Sequence, residues 1–363
     1  MSEERSPSAG RASTGAAGHL GREELAKADP SGMLDDVLAQ PQQLGDALWR
    51  VQSAGLRKRD MPGGLVVCGM GGSAIGGDLA AAALGDRATR PIRTIRGYGL
   101  DPWTSDDCLV LCASYSGNTE ETLACFEAAG ITGAPRVALT TGGKLAAAAR
   151  EEDVPVIGVP SGMQPRAAVV YMTVAALECA ALCGAAPGLH TEIDSAAALL
   201  GELAARWGPD AEDGSLAKDL GRKLHGTVPV IHGADPTMAP ARRWKSQLNE
   251  NAKAAAFASV LPEADHNEIC GWEQGRKSAP LAGVFLEDPD QHPRIRERIE
   301  LTAKALEDVG APAERIELQG EGRLERVLAM VLLGDLVSVY VAALEGVDPT
   351  PVESIERLKG ALN

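Results

Sequence analysis

The sequence predicts an α/β protein of two doubly wound, parallel-sheet domains, joined by a helical linker and closed by C-terminal helices. Three observations predict it. Short continuous apolar runs, such as 65–68 (LVVC) and 108–112 (CLVLC), alternate with helical segments, as strands buried on both faces do. The alternation occurs twice, over 64–159 and again from Thr227 onward. The 363 residues amount to about two ordinary domains.

The elements run in order. Residues 1–20 form a Ser/Ala/Gly/Arg-rich tail without periodicity and without the apolar core of a signal peptide. The first domain, 21–165, opens with helical spacing over 31–56, with Ser31 as a candidate N-cap. A strand at 65–68 runs into glycines, and an Ala-rich helix covers 78–84. Strands at 91–96, 108–113, 136–140 and 154–157 come next, with helices at 120–129 and 144–150 between them. Residues 166–210 are Ala/Leu-rich and read as the helical linker. The second domain, 211–363, has strands at 227–231, 284–286 and 315–318, a long apolar helix at 324–344 and an amphipathic one at 352–362.

Composition narrows the function. There are 35 Lys+Arg against 50 Asp+Glu, a net charge of −15, which repels nucleic-acid backbones and anionic lipid. No uninterrupted apolar run reaches the ~20 residues that span a bilayer. The seven cysteines include no C-x-x-C pair and read as small buried residues of a reducing cytoplasm. Cys179 and Cys183 share a helix face, but no further ligand completes a zinc site, so no metal is expected.

Two loops carry the chemistry. The first, 68–77 (CGMGGSAIGG), lies between a strand and a helix, where glycines let backbone N–H groups approach an anion. A dinucleotide fold could use such a loop, but the next strand ends in Arg96-Gly97 with no acidic residue for a ribose. No lysine makes it a Walker loop. The second loop, 114–122 (SYSGNTEET), comes after the strand at 108–113. Its bland reading is helix capping, with Thr119 as N-cap and Glu120 and Glu121 in the first turn. Its functional reading is a phosphate site built from the hydroxyls of Ser114, Ser116 and Thr119, without lysine or arginine.

These two loops, about forty residues apart, resemble the sugar isomerase (SIS) domain. Together with the second half of the sequence, they make the chain resemble the bifunctional phosphoglucose/phosphomannose isomerases of archaea and bacteria over roughly residues 30–363. The resemblance implies two SIS-type domains and a homodimer. It implies that Gly72, Ser73, Ser114, Ser116 and Thr119 bind the substrate phosphate. It implies Glu250 as catalytic base, Arg166 as electrophile and Lys359 as a polar partner. It also implies His266 as the ring-opening histidine, supplied by the partner subunit. Mannose activity in this family goes with a threonine near the C-terminal lysine, for which Thr350 is the candidate.

The chemistry asks for these residue types. Aldose–ketose isomerisation moves a proton between C1 and C2 through a cis-enediolate. A carboxylate such as Glu250 can take and return it. The fixed charge of Arg166 stabilises the enediolate oxygen. Imidazole suits the opening of the sugar ring near neutrality. No cofactor is called for. Taken singly, each residue has an ordinary reading: a solvated ion pair for Glu250, an exposed loop for His266, a helix cap for Arg166, a surface position for Lys359. His232, after a strand, is a rival histidine and reads as a lining residue. The alternatives are a non-catalytic sugar-phosphate sensor and an SIS isomerase of another phosphosugar. The predicted small region at 253–257 beside the site could alter which sugar is accepted.

Overall fold

The computed structural model describes residues 20–317 and 319–362. The tail therefore lies outside the described residues except for Leu20, which is buried in the core and so belongs to the first domain. In chain order come α1 (Arg22–Ala28), α2 (Met33–Leu38), α3 (Gln40–Ser53), β1 (Gly64–Cys68) and α4 (Gly71–Leu84). Next are β2 (Ile92–Ile95), β3 (Cys108–Ala113), α5 (Glu120–Thr132), β4 (Arg136–Thr140), α6 (Gly143–Glu151) and β5 (Val156–Gly158). Then α7 (Val169–Leu182), α8 (His190–Trp207) and α9 (Leu216–Leu224) precede β6 (Val228–Gly233), α10 (Met238–Glu250) and β7 (Phe257–Val260). The chain ends with α11 (Trp272–Ser278), β8 (Leu281–Glu287), α12 (Pro293–Asp308), β9 (Ala313–Glu317), α13 (Arg323–Glu345) and α14 (Glu353–Leu362).

Two all-parallel sheets result, in the orders β2-β1-β3-β4-β5 and β7-β6-β8-β9. All five residues of β1 are buried, as its unbroken apolar run requires with helices on both faces. In the first sheet the strand order reverses between β1 and β3. Their C-terminal ends therefore flank a crevice, the usual ligand position in open α/β sheets.

Three details differ from the sequence reading. The helix expected from Asp78 begins at Gly71, so every glycine of the first loop except Gly69 lies in it. Glycine is disfavoured in a helix by roughly 1 kcal/mol relative to alanine, but α4 lies against α7. A Cβ on Gly76 would come within 2.5 Å of the Met172 backbone. Ser31 is not the cap of α2. The Asp29 carboxylate accepts from the N–H groups of Met33 (2.9 Å) and Leu34 (2.7 Å) instead. Finally, α13 has 23 residues and is long and apolar enough to cross a membrane, because its few polar residues interrupt the apolar run without offsetting it. Of its most apolar 18-residue stretch, 89% is buried within the protein, so it offers no lipid-facing surface.

In the segment 166–210, α7 is buried against α4, and α8 packs one face against α13 while the other is exposed. One hydrophobic cluster runs through both halves. By contrast, α14 has no buried residue.

Candidate active site

The turn after β3 gathers the predicted hydroxyls. Ser114 Oγ lies 2.8 Å from Thr119 Oγ1 and accepts from the Gly117 N–H at 3.1 Å. Ser73, in the first turn of α4, accepts from the Tyr115 N–H at 3.2 Å, which ties the first loop to the second. Ser116 is exposed and accepts from the Asn118 N–H. Thr119 occupies the N-cap position of α5, but its side chain does not bond the helix backbone; it pairs with Ser114. The expected capping role is therefore replaced by a hydroxyl cluster between the starts of α4 and α5. Two helix N-termini and four hydroxyls at a sheet switch point can hold an anion without a cationic side chain.

A cavity of about 290 Å³ opens beside this turn, walled by Gly71, Gly72, Arg166, Arg243, Gln247 and Glu250. The four hydroxyls are not in its wall. Gly71 and Gly72 connect it to Ser73. Arg96 stands at the cavity and bridges Asp78 of α4 at 2.5 Å. The arginine that argued against a ribose site thus belongs to this one.

Arg166 sits on a short 3-10 turn, Pro165–Ala168, and is 2% exposed. Its donors are distributed. Nε donates to Asn251 Oδ1 at 2.6 Å. Nη2 donates to the carbonyls of Pro349 (2.7 Å) and Thr350 (2.9 Å). That leaves Nη1 toward the cavity, 3.6 Å from Glu250 Oε2 and 3.4 Å from Gln164 Oε1. Burial lowers the Arg166 pKa from its ordinary value, and the Glu250 carboxylate opposes the shift. An arginine starts so far above neutrality that it stays charged.

Glu250 is the last residue of α10, with its side chain 27% exposed. Lys253 secures that helix end, donating to the Glu250 carbonyl (2.7 Å), the Asn251 carbonyl (3.3 Å) and the Pro349 carbonyl (2.9 Å). It does so from a left-handed backbone, φ 55°, a conformation that costs a non-glycine residue about 1 kcal/mol or more. Carbonyls at a helix C-terminus need such donors. Lys253, Arg243 and Asn251 were not singled out from sequence. The density of amides and cations around Glu250 was the available signal.

Thr350 is placed beside Arg166 through its carbonyl, and its buried Oγ1 has no hydrogen-bond partner among the described residues. A second cavity, of about 630 Å³, is lined by Glu250, Lys253, Asp348 and the start of α14, the helix that carries Lys359. His266 is exposed on a short turn after β7, and Lys359 lies on the exposed α14; neither lines either cavity. The lining role read for His232 is corrected. It is 1% exposed, stacked on Phe285 at 4.5 Å, and burial lowers its pKa to about 4. It is neutral at pH 7 and walled off.

The second sheet has its own switch point, between β6 and β8, and fills it with protein. Thr237 Oγ1 donates to the Ala234 carbonyl and accepts from Gln291 Nε2 (3.3 Å), while Arg326 Nε donates to Asp288 at 2.9 Å. All four side chains are buried.

Residues 214–362 match the family described as "Bacterial phospho-glucose isomerase C-terminal SIS domain". Two SIS-type sheets, with a hydroxyl-lined turn at the open crevice, define a protein of the phosphosugar isomerase class. A protein of Aquifex aeolicus named bifunctional phosphoglucose/phosphomannose isomerase is 37% identical over 301 residues, 82% of this chain and 90% of its own. One of the same name from Caldicellulosiruptor bescii is 36% identical over 335 residues, 91% of this chain and 98% of its own. The chain belongs to the bifunctional phosphoglucose/phosphomannose isomerase family. In fold it also matches the crystal structure of a hypothetical protein from Thermus thermophilus, with a TM-score of 0.72 at 18% identity, covering 94% of this chain and 92% of that one.

Proposed function

We propose that this chain interconverts glucose 6-phosphate and fructose 6-phosphate, and takes mannose 6-phosphate as a second aldose, through a cis-enediolate. The observation that carries the reading is Arg166 Nη1 facing Glu250 Oε2 at 3.6 Å in a cavity continuous with the start of α4. The phosphate rests on Ser73, Ser114, Ser116 and Thr119 with the N-termini of α4 and α5, and Gly72 lets the sugar pass close to the backbone. Glu250 removes a proton from C1 of the ketose and returns it to C2. Arg166 Nη1 offsets the charge on the enediolate oxygen. Substrate and product are isomers, so no electrons are gained or lost and no redox cofactor enters. Thr350, seated on the same arginine, is the candidate for distinguishing the C2 epimers.

The working unit is a homodimer. His266 and Lys359 both stand on exposed segments outside the cavity of their own chain, so a second chain is the source of the ring-opening histidine. Mixing His266→Ala with Glu250→Gln subunits tests this. Each heterodimer then holds one intact site, so a statistical mixture regains about a quarter of wild-type activity. Verified heterodimers without activity would remove His266 from the partner's site. The cytoplasm is the proposed setting, in keeping with seven free thiols.

Gly72 gives a second test. A Cβ there would lie 2.9 Å from Arg166 Cα and 3.0 Å from the Pro165 carbonyl oxygen. Gly72→Ala displaces the arginine's backbone, and kcat falls by about ten-fold or more. An unchanged kcat would show that the spacing between α4 and the 3-10 turn does not matter.

The overall reading is tested by coupled assays with fructose 6-phosphate and mannose 6-phosphate, with and without EDTA. Turnover of the first in both conditions is expected. No turnover of either sugar would favour a sensor, and loss of activity with EDTA would overturn the metal-free route.

A further inference from the structure

A closed ring of buried polar groups leads to Arg166 from both sides. Asp335 lies in the middle of α13, and its two carboxylate oxygens accept from Arg243 Nε (2.9 Å) and Nη2 (2.7 Å). The same Nη2 donates to the Arg166 backbone carbonyl at 2.9 Å. One turn along α13, Ser338 Oγ donates to the Asp335 carbonyl at 2.7 Å and accepts from Asn251 Nδ2 at 2.9 Å. The Oδ1 of Asn251 then accepts from Arg166 Nε at 2.6 Å. Gln40 of α3 adds a donor to Asp335 at 2.6 Å. Asp335, Ser338 and Asn251 are fully buried, and Arg243 and Arg166 are each 2% exposed.

Stability alone is a poor account of this ring. A buried Arg–Asp pair loses much of its attraction to desolvation, and well-packed apolar side chains often serve stability as well or better. The rest of this stretch of α13 is mostly Leu, Val, Met and Ala in a continuous core. The ring meets the cavity where chemistry is placed at Arg166 and Arg243. It grips Arg166 at the backbone carbonyl and again at Nε. Two fixed points on a flexible side chain, with the Pro349 and Thr350 carbonyls as a third, leave Nη1 a single direction.

We propose that Asp335, Arg243, Ser338 and Asn251 form a positioning ring that aims the Arg166 guanidinium at the enediolate. This rests on the role of Arg166 proposed for the isomerisation. Asp335, Ser338 and Asn251 do not line the cavity, so they act through Arg166. The phosphate-binding turn lies elsewhere, so a loosened ring lowers kcat and spares KM.

Three variants test it: Ser338→Ala, Asn251→Leu and Arg166→Ala, each measured for kcat, KM and thermal melting. Asn251→Leu is expected to lower kcat by about 10²-fold and Ser338→Ala by about ten-fold, with KM for fructose 6-phosphate within about two-fold. Added guanidinium is expected to restore activity to Arg166→Ala but not to Arg166→Ala/Asn251→Leu, because the second variant has lost part of the cradle. Ser338→Ala deletes one hydroxyl and carries the test should Asn251→Leu not fold. If Arg166→Ala is impaired while folded Ser338→Ala and Asn251→Leu keep wild-type kcat and lose only melting temperature, the ring is structural and the proposal is overturned. If Arg166→Ala itself keeps wild-type kcat, the role given to Arg166 fails, and the ring's role fails with it.

Discussion

Glu250→Gln lowers kcat by at least about 10²-fold and leaves KM for fructose 6-phosphate nearly unchanged. The amide has almost the shape of the carboxylate, so the fold around α10 is kept. The Lys253 bonds that secure this helix end go to backbone carbonyls and do not depend on the side chain. What is lost is the only acidic group in the cavity wall among the described residues. The hydroxyl turn that holds the phosphate shares no hydrogen bond with Glu250, which is why affinity is spared. Steady-state kinetics in the direction of glucose 6-phosphate formation read the change. A near-wild-type kcat would place the base on another residue.

Arg166→Lys is the second large effect, a fall in kcat of about 10²–10³-fold, the range seen when one preorganised charge or donor is removed from an anion-stabilising site. Charge is conserved in this substitution and geometry is not. The guanidinium reaches Asn251 with Nε, two carbonyls with Nη2 and the cavity with Nη1, in one plane. A single ammonium cannot serve all three directions. It also leaves the acceptors at Asn251 and Thr350 without their donor, each a cost of about 1–3 kcal/mol, while the Pro349 carbonyl keeps only Lys253. Melting temperature therefore falls together with kcat. A lysine enzyme of full activity would show that charge alone matters and that the orientation does not.

All the strands except β7 were legible, most clearly where cover on both faces requires an apolar run, as at 65–68 and 108–113. The first-loop glycines were misplaced because local propensity argues against a helix there. The reason for the helix is a contact with α7, about a hundred residues away in sequence. Two elements around the base, α10 and β7, carried weak signals. The first is rich in Arg, Lys, Gln and Asn, and the second is a four-residue edge strand with Phe257 and Val260 exposed.

At the site, the hydroxyl turn was visible as a motif, and Arg166 and Glu250 through family resemblance. Their mutual position was not, since they are separated by 84 residues and meet only when the 3-10 turn and α10 pack together. The partners of Arg166 were harder still. Asp335 and Ser338 look like isolated polar residues in an apolar helix, and what pairs with them, Arg243 and Asn251, lies near position 250.

The mechanism turns on a proton passing through the Glu250 carboxylate by way of an enediolate. Fructose 6-phosphate turned over in D₂O and followed by proton NMR tests this most directly. Wild-type enzyme is expected to give glucose 6-phosphate with deuterium at C2, and Glu250→Gln is expected to lose that exchange along with turnover. Deuterium entering C2 undiminished in Glu250→Gln would contradict the account.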